Sequence, residues 1–281
     1  MNKSANLIKR CASLCIAATM FLAPVKAWAL DLDLVNGAIT FGGDSNAGTT
    51  NYSQGSVSAE SYTGTATVTG DYSGDGTAIT VNGGNHTIVV DDVSFTPATP
   101  DSSDPVIKIT GGEQYVSLEN NTFIDAGENG AAIEIDGGEH IVVLDDFAIN
   151  GASDATGIEV KGGADLTLLL QSDSGVYTNN SAMVINDGSS VKVGHGLTTE
   201  TPRLTLSSEK SDSATVTGDN TGKLGLNKNS IADVLIQHSG GGTLVENVTL
   251  EAGNVRNVIT ESDGVSVESV RLYHAGCSYS I

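Results

Sequence analysis

The chain has 281 residues, with 34 Asp and Glu against 13 Lys and Arg, a formal net charge of −21 and 39% hydrophobic residues. That apolar share is too high for a wholly disordered chain, and the length is enough for one sizeable core. The charge argues against a nucleic-acid partner, which needs clustered Lys and Arg, and against an anionic membrane surface.

The chain opens on Lys3, Lys9 and Arg10, followed by a short apolar run over residues 11–24 and a small-x-small site at Ala27-Trp28-Ala29. This predicts a secretory signal peptide over 1–29, too short for a membrane span. Cys11 and Cys15 lie within it, but Arg10 and Leu14 stand where a lipoprotein signal needs a small residue. Removing 1–29 takes four bases and no acid, leaving 34 acids against 9 bases, a formal charge of −25. Cys277 is then the single cysteine, so no intramolecular disulfide is expected despite export. No second apolar stretch approaches the length of a transmembrane helix, so none is expected in the mature chain.

From residue 38 onward the informative feature is a repeat. Ala78-Ile79-Thr80-Val81-Asn82-Gly83-Gly84 recurs as Val106 to Gly112, as Ala132 to Gly138 and as Gly157 to Gly163, with a degenerate copy from Ala182 to Gly188. The intervals are 28, 26, 25 and 25 residues. Ala38 to Gly43 reads as an earlier member, and Ala66 to Gly70 and Ala214 to Gly218 as distant ones. After each Gly-Gly comes a second strand pattern: His86 to Val90, Gln114 to Leu118 and His140 to Leu144. A polar pair and a large apolar residue close the unit: Asp91-Asp92 with Phe95, Glu119-Asn120 with Phe123, Asp145-Asp146 with Ile149.

Short runs rich in Val, Ile and Thr that alternate with polar residues suit half-buried strands. One unit cannot bury its own apolar face, but stacked copies place Ile79, Ile107, Ile133 and Ile158 in a continuous inner ladder. Gly-Gly supplies the positive φ of a sharp corner. The predicted fold is all-β: a single-stranded parallel β-helix over 30–281, with three-faced coils of about 25–28 residues. Residues 42–65 and the proline-bearing 96–105 are the expected excursions from the coil. An antiparallel sandwich shares the short strands but does not require one motif at a near-constant interval.

Units such as Gly111 to Phe123 resemble the generic coil of the right-handed parallel β-helix, pectate-lyase-like superfamily. Together with the signal peptide, the scarcity of cysteine and the Gly/Ser/Thr/Asn/Asp-rich surface, the pattern is similar to bacterial autotransporter passengers and related adhesins. That resemblance implies export in a Gram-negative-type bacterium to a secreted, cell-surface or periplasmic location. The chain departs from it in ending at Ser280-Ile281 without barrel-like strands.

Several residues invite chemical readings. Gly194-His195-Gly196 with Asp91-Asp92 and Asp145-Asp146 resembles the carboxylate and histidine set of pectin-cleaving glycosidases, in which paired carboxylates protonate the leaving oxygen and activate water. Recurrence of one turn in successive coils is the better account of the acidic pairs, with Glu119-Asn120 between them, and no Arg-x-Lys follows His195. The mature bases, Lys108, Lys161, Lys192, Arg203, Lys210, Lys223, Lys228, Arg256 and Arg271, show no clustering suited to an acidic glycan. Asp71-x-Ser73-x-Asp75-Gly76 is half of an oxygen-ligand loop, but Asn82 stands where a bidentate Glu is preferred. No cofactor is expected, and diffuse calcium binding to the acidic face fits better than one built site. His86 and His140 share a repeat position two coils apart, too far for one metal, and read as solvated corner residues. Cys277, with His274 nearby, reads as a thiol near a chain end.

No catalytic, cofactor-binding or metal residue is assigned. The expectation is a non-catalytic surface-interaction protein that presents side-chain ladders to a cell-surface protein or glycan, with a polysaccharide-active glycosidase or lyase on the same scaffold as the alternative.

Overall fold

The computed structural model describes residues 30–96, 98, 102–196, 201–226, 232–240 and 242–251, and the backbone of 258–261, 271–273 and 279–280. The expected signal peptide, Cys277, His274 and part of the 96–105 segment lie outside the described residues.

Three sheets run side by side along a β-solenoid, and each coil visits them in the same order. Sheet 1 has ten strands, among them Thr87–Asp91, Glu113–Glu119, Glu139–Leu144, Asp165–Leu170 and Ser190–His195. Sheet 3 follows in each coil, with eight strands that include Phe123–Ala126, Ala148–Gly151, Ser174–Thr178 and Arg203–Ser208. Sheet 2 closes the coil with Ile79–Asn82, Ile107–Thr110, Ala131–Asp136, Thr156–Lys161 and Met183–Ile185 among its ten strands. Successive coils pair in parallel, as a crossover longer than a hairpin requires.

The inner ladder follows from the alternation. Ile79 pairs with Ile107, Ile107 with Ile133 and Ile133 with Ile158, and each is at most 2% exposed. Ile39 extends the ladder at one end and Met183 at the other. The residues between them face outward: on sheet 2 these are Lys108, Glu134 and Glu159, in register across three coils. Glu134 lies 2.9 Å from the Lys108 ammonium and 3.0 Å from that of Lys161. Burial raises its carboxyl, but the two cations outweigh that and hold it below the usual range.

The two corners that flank sheet 1 use left-handed backbone. Gly83 and Gly84 have φ of +68° and +71°, and Gly137 and Gly138 of +70° and +84°. In the degenerate copy Asp187 takes the first of these positions at +55°, which the short polar side chain of Asp tolerates better than most. The corner between sheets 1 and 3 is turned by Asp92, Asn120 and Asp146, with φ of +52°, +54° and +52°.

Three expectations shift in detail. Within residues 42–65, Thr49–Gln54 and Val57–Ser61 leave the coil as an antiparallel hairpin that extends sheet 2 beyond Ile39–Asp44, while Gly42 and Thr65 stay in the strands of the coil. Ala66 to Gly70 is no copy of the sheet 2 motif: Thr65–Thr69 lies in sheet 1, where its own Thr/Val alternation pairs with Leu30–Asp33 and Thr87–Asp91. Ala214–Gly218 is in sheet 2 but displaced by one residue, with Val216 rather than Thr215 opposite Met183. Coils continue through Arg203–Ser208 and Asp233–His238, where the sequence repeat is faint. Among the described residues no helix is long and apolar enough to cross a membrane.

Candidate functional site

The acidic pairs fall in one column. Asp91 is opposite Glu119, and Leu118 opposite Leu144, so Asp92, Asn120 and Asp146 stand at the same corner of successive coils. Their polar atoms bond along the stack. Asn120 Nδ2 donates to Asp91 Oδ1 at 2.6 Å, and the Asp146 backbone N–H donates to Ser172 Oγ at 2.5 Å. His195 ends its sheet 1 strand opposite Leu170, which is opposite Leu144, so two strand spacings, roughly 10 Å, separate it from the corner that carries Asp146. Its Nδ1 contacts the carbonyl of Gly196.

The histidine column is not solvated. His86 and His140 are each 2% exposed, which overturns the reading of both as solvent-facing corner residues. The physical reason is the Gly-Gly corner itself. A Cβ on Gly84 would meet His86 Nε2 at 2.6 Å, and one on Gly138 would meet His140 Nε2 at 2.7 Å, so each ring occupies space that only glycine leaves open. His140 Nε2 lies 2.6 Å from the Gly137 carbonyl oxygen. Gln114, in the same position between them, donates from Nε2 to the carbonyls of Gly84 and Gly111. Burial lowers the pKa of both histidines, that of His86 to about 4. The Tyr62 hydroxyl lies 2.5 Å from His86 Nδ1, and burial raises its pKa.

The half loop at Asp71 has structural partners. Asp71 Oδ1 accepts from the Ser94 backbone N–H at 3.0 Å, and the Tyr72 hydroxyl donates to the Asp75 carbonyl at 2.9 Å. Among the described residues no group of three or more His, Cys, Asp and Glu is placed to hold a metal ion. The bases are dispersed as ion pairs, Lys192 with Asp165, Lys210 with Asp154 and Lys223 with Glu251.

A groove of about 360 Å³ lies where the corner after sheet 1 meets the outer face of sheet 3. Its floor is one row of the outer face of sheet 3. Phe123, Ala148, Gly175 and Thr205 are in register across four coils, and the two central members have almost no side chain. Asp146 and Asp173 come from the corner, each two residues before a member of this row. Arg203 lies opposite the position of Asp173: its backbone N–H donates to Asp173 Oδ1 at 2.8 Å, while its guanidinium is 3.7 Å from Asp233.

Tyr177 forms the last wall. It is 45% exposed, one of two large hydrophobic side chains that stand so far out among the described residues. A Cβ on Gly175 would meet the Tyr177 ring atoms Cε2 and Cζ at 2.2 and 2.6 Å and its hydroxyl at 2.7 Å. The ring therefore lies over Gly175, two residues back on the same face of the strand, in space that a side chain at that position would fill.

Of the sequence candidates, Asp146 alone reaches this groove; Asp92, His195 and Asp71 are elsewhere. Tyr177, Asp173, Arg203 and Phe123 carried no sequence signal as a group, because they come from three different coils. Gly175 is the one position that breaks the outward alternation of its strand, and in that sense it marked the place. In comparison with known protein families, curated proteins and solved structures, nothing matches the chain.

Proposed function

We propose that this protein is an exported, non-catalytic β-helix of the autotransporter-passenger type that acts in adhesion or surface interaction. The observation that supports this reading is the column Asp92, Asn120 and Asp146. The acidic residues that suggested a hydrolase recur as one left-handed corner in successive coils, where Asn120 bonds to Asp91 of the coil before, and line up along the outside of the solenoid. An edge of this kind presents many similar groups to an extended partner, so affinity accumulates from weak contacts. Incubation of the purified mature chain, with calcium, against a polysaccharide panel is expected to release neither reducing ends nor unsaturated products. Binding of the same preparation to cell or matrix surfaces is expected in parallel. Turnover of any glycan would overturn the reading.

A polysaccharide-active enzyme is the second reading, and one observation favours it. Asp146 and Asp173 stand at equivalent positions one coil apart and line the same groove, and a pair of carboxylates is what glycoside hydrolysis uses. Loss of a detected activity in both Asp146→Asn and Asp173→Asn would establish it.

A further inference from the structure

We infer that the groove over Ala148 and Gly175 is a glycan subsite that takes an uncharged sugar ring on the exposed face of Tyr177. The inference rests on the surface-interaction reading and goes beyond it by naming the place and the ligand class. Three features carry it.

The first is the platform. A ring 45% exposed on the outer face of a sheet, beside the small side chains of Ala148 and Gly175, is unusual in a protein with 5% aromatics. Packing limits its motion on one side, since the ring fills the space that Gly175 vacates. A sugar ring has one face of C–H groups, which the negative face of an aromatic attracts, and a rim of hydroxyls that needs polar partners. A ring already restricted by packing pays less ordering entropy on binding than a free one.

The second is the rim. Asp146 and Asp173 offer carboxylate oxygens to sugar hydroxyls from the corner side, and the Arg203 guanidinium and Thr205 hydroxyl offer donors from the next coil. These residues line the same groove as the platform.

The third is charge and size, which choose the class. Two carboxylates stand against one guanidinium that already faces Asp233, on a chain of net charge −21, so a uronate or sulfated sugar is repelled. The volume of about 360 Å³ falls at the low end of the ~300–1,000 Å³ range of small-ligand sites, which suits part of an oligosaccharide rather than a whole chain.

The test uses the mature chain and calorimetric titration with neutral gluco-, xylo-, manno- and N-acetylglucosamine oligomers, beside oligogalacturonate of equal length. At least one neutral oligomer is expected to bind and oligogalacturonate is not. Tyr177→Ala should weaken that binding about tenfold or more, as removal of an aromatic anchor does, while Tyr177→Phe keeps it within about threefold. Gly175→Ala, which lifts the ring, should weaken it as well, and Asp146→Asn should do so without touching the platform. Unchanged circular dichroism and melting temperature identify the variants that fold, and Tyr177→Phe and Asp146→Asn decide the matter if either of the others does not. The inference is overturned if no neutral oligomer binds, if oligogalacturonate binds best, or if Tyr177→Ala binds like the parent. Cell-surface binding that persists in Tyr177→Ala would leave the surface-interaction reading standing while this site falls; absence of any surface or glycan binding would remove both.

Discussion

The backbone N–H of His86 donates to Gln114 Oε1 at 2.9 Å, a bond between side chain and backbone of residues that occupy the same position in adjacent coils. Gln114 fills the space under its Gly-Gly corner with an amide that does not titrate, whereas His86 fills the equivalent space with an imidazole. The two coils therefore differ in their response to acid although their backbones match.

Acid should destabilise the solenoid through His86. Burial holds its folded pKa at about 4, below the 6.5 of an unburied histidine, so between these values the unfolded chain binds a proton that the folded chain does not. Stability from this group is complete above pH 6.5, falls as the pH drops toward 4 and levels below it, with a total loss of at most about 3 kcal/mol. His140, shifted in the same direction, adds to the slope. Denaturant unfolding across this range should show the loss, and His86→Gln, which copies the neighbouring coil, should reduce it. Equal slopes in the two proteins would refute the assignment.

Gly111 and Gly112 should respond very differently to alanine. Both have positive φ, +61° and +76°, so each substitution carries the left-handed penalty of roughly 1–2 kcal/mol. A Cβ at Gly111 meets nothing within 4 Å, whereas one at Gly112 would come within 2.4 Å of the Gly84 carbonyl oxygen in the preceding coil and 2.6 Å of Gln114 Nε2. Gly111→Ala should therefore fold with the penalty alone, and Gly112→Ala should lose several kcal/mol or fail to fold. Comparable losses in chemical denaturation would contradict the close coil-to-coil approach.

Glu134 should be the most costly carboxylate to remove from the outer ladder. Its side chain is 11% exposed and bridges Lys108 and Lys161, so Glu134→Gln removes the charge between them and leaves Lys161 with Glu159 as its partner. A loss of about 1–2 kcal/mol is expected at neutral pH. The carboxyl's lowered pKa means that the difference should close as the pH falls through that pKa, below the ordinary 4.5, where the parent loses the same charge. A difference that persists at low pH would place the effect in packing.

Salt should stabilise the chain. With a net charge of −21 spread over a solenoid, self-repulsion opposes folding, and screening at about 0.5 M NaCl shortens its range to a few ångströms. Melting temperature is expected to rise with NaCl, and with millimolar calcium if cations also condense on the acidic face. No change with either would show that the charges are already well separated.

The repeat was legible because a solenoid imposes the same demand on every coil. Ile79, Ile107, Ile133 and Ile158 had to be apolar at a fixed interval, and each Gly-Gly corner had to accept positive φ. Where the interval stretched, as after residue 200, the same packing was met by Leu204, Leu206, Val234 and Ile236 without a recognisable motif, because burial asks for apolar volume and not for one residue type. The histidines were misread for the opposite reason. A polar residue beside a turn ordinarily faces water, and only the missing Cβ atoms of Gly84 and Gly138 let the imidazoles fold inward.

The amino-acid sequence by itself thus determined the architecture: short alternating strands, glycine corners and an inner aliphatic ladder admit few structures other than a stacked parallel coil. The groove was decided by tertiary structure alone. Asp146, Asp173, Tyr177 and Arg203 span 58 positions of the chain from first to last and share no motif, yet the coil spacing and the parallel register of Ala148 with Gly175 and of Gly175 with Thr205 set them around one floor. Local patterning fixes which face a side chain occupies, but which residues become neighbours along the axis depends on the length of every intervening turn.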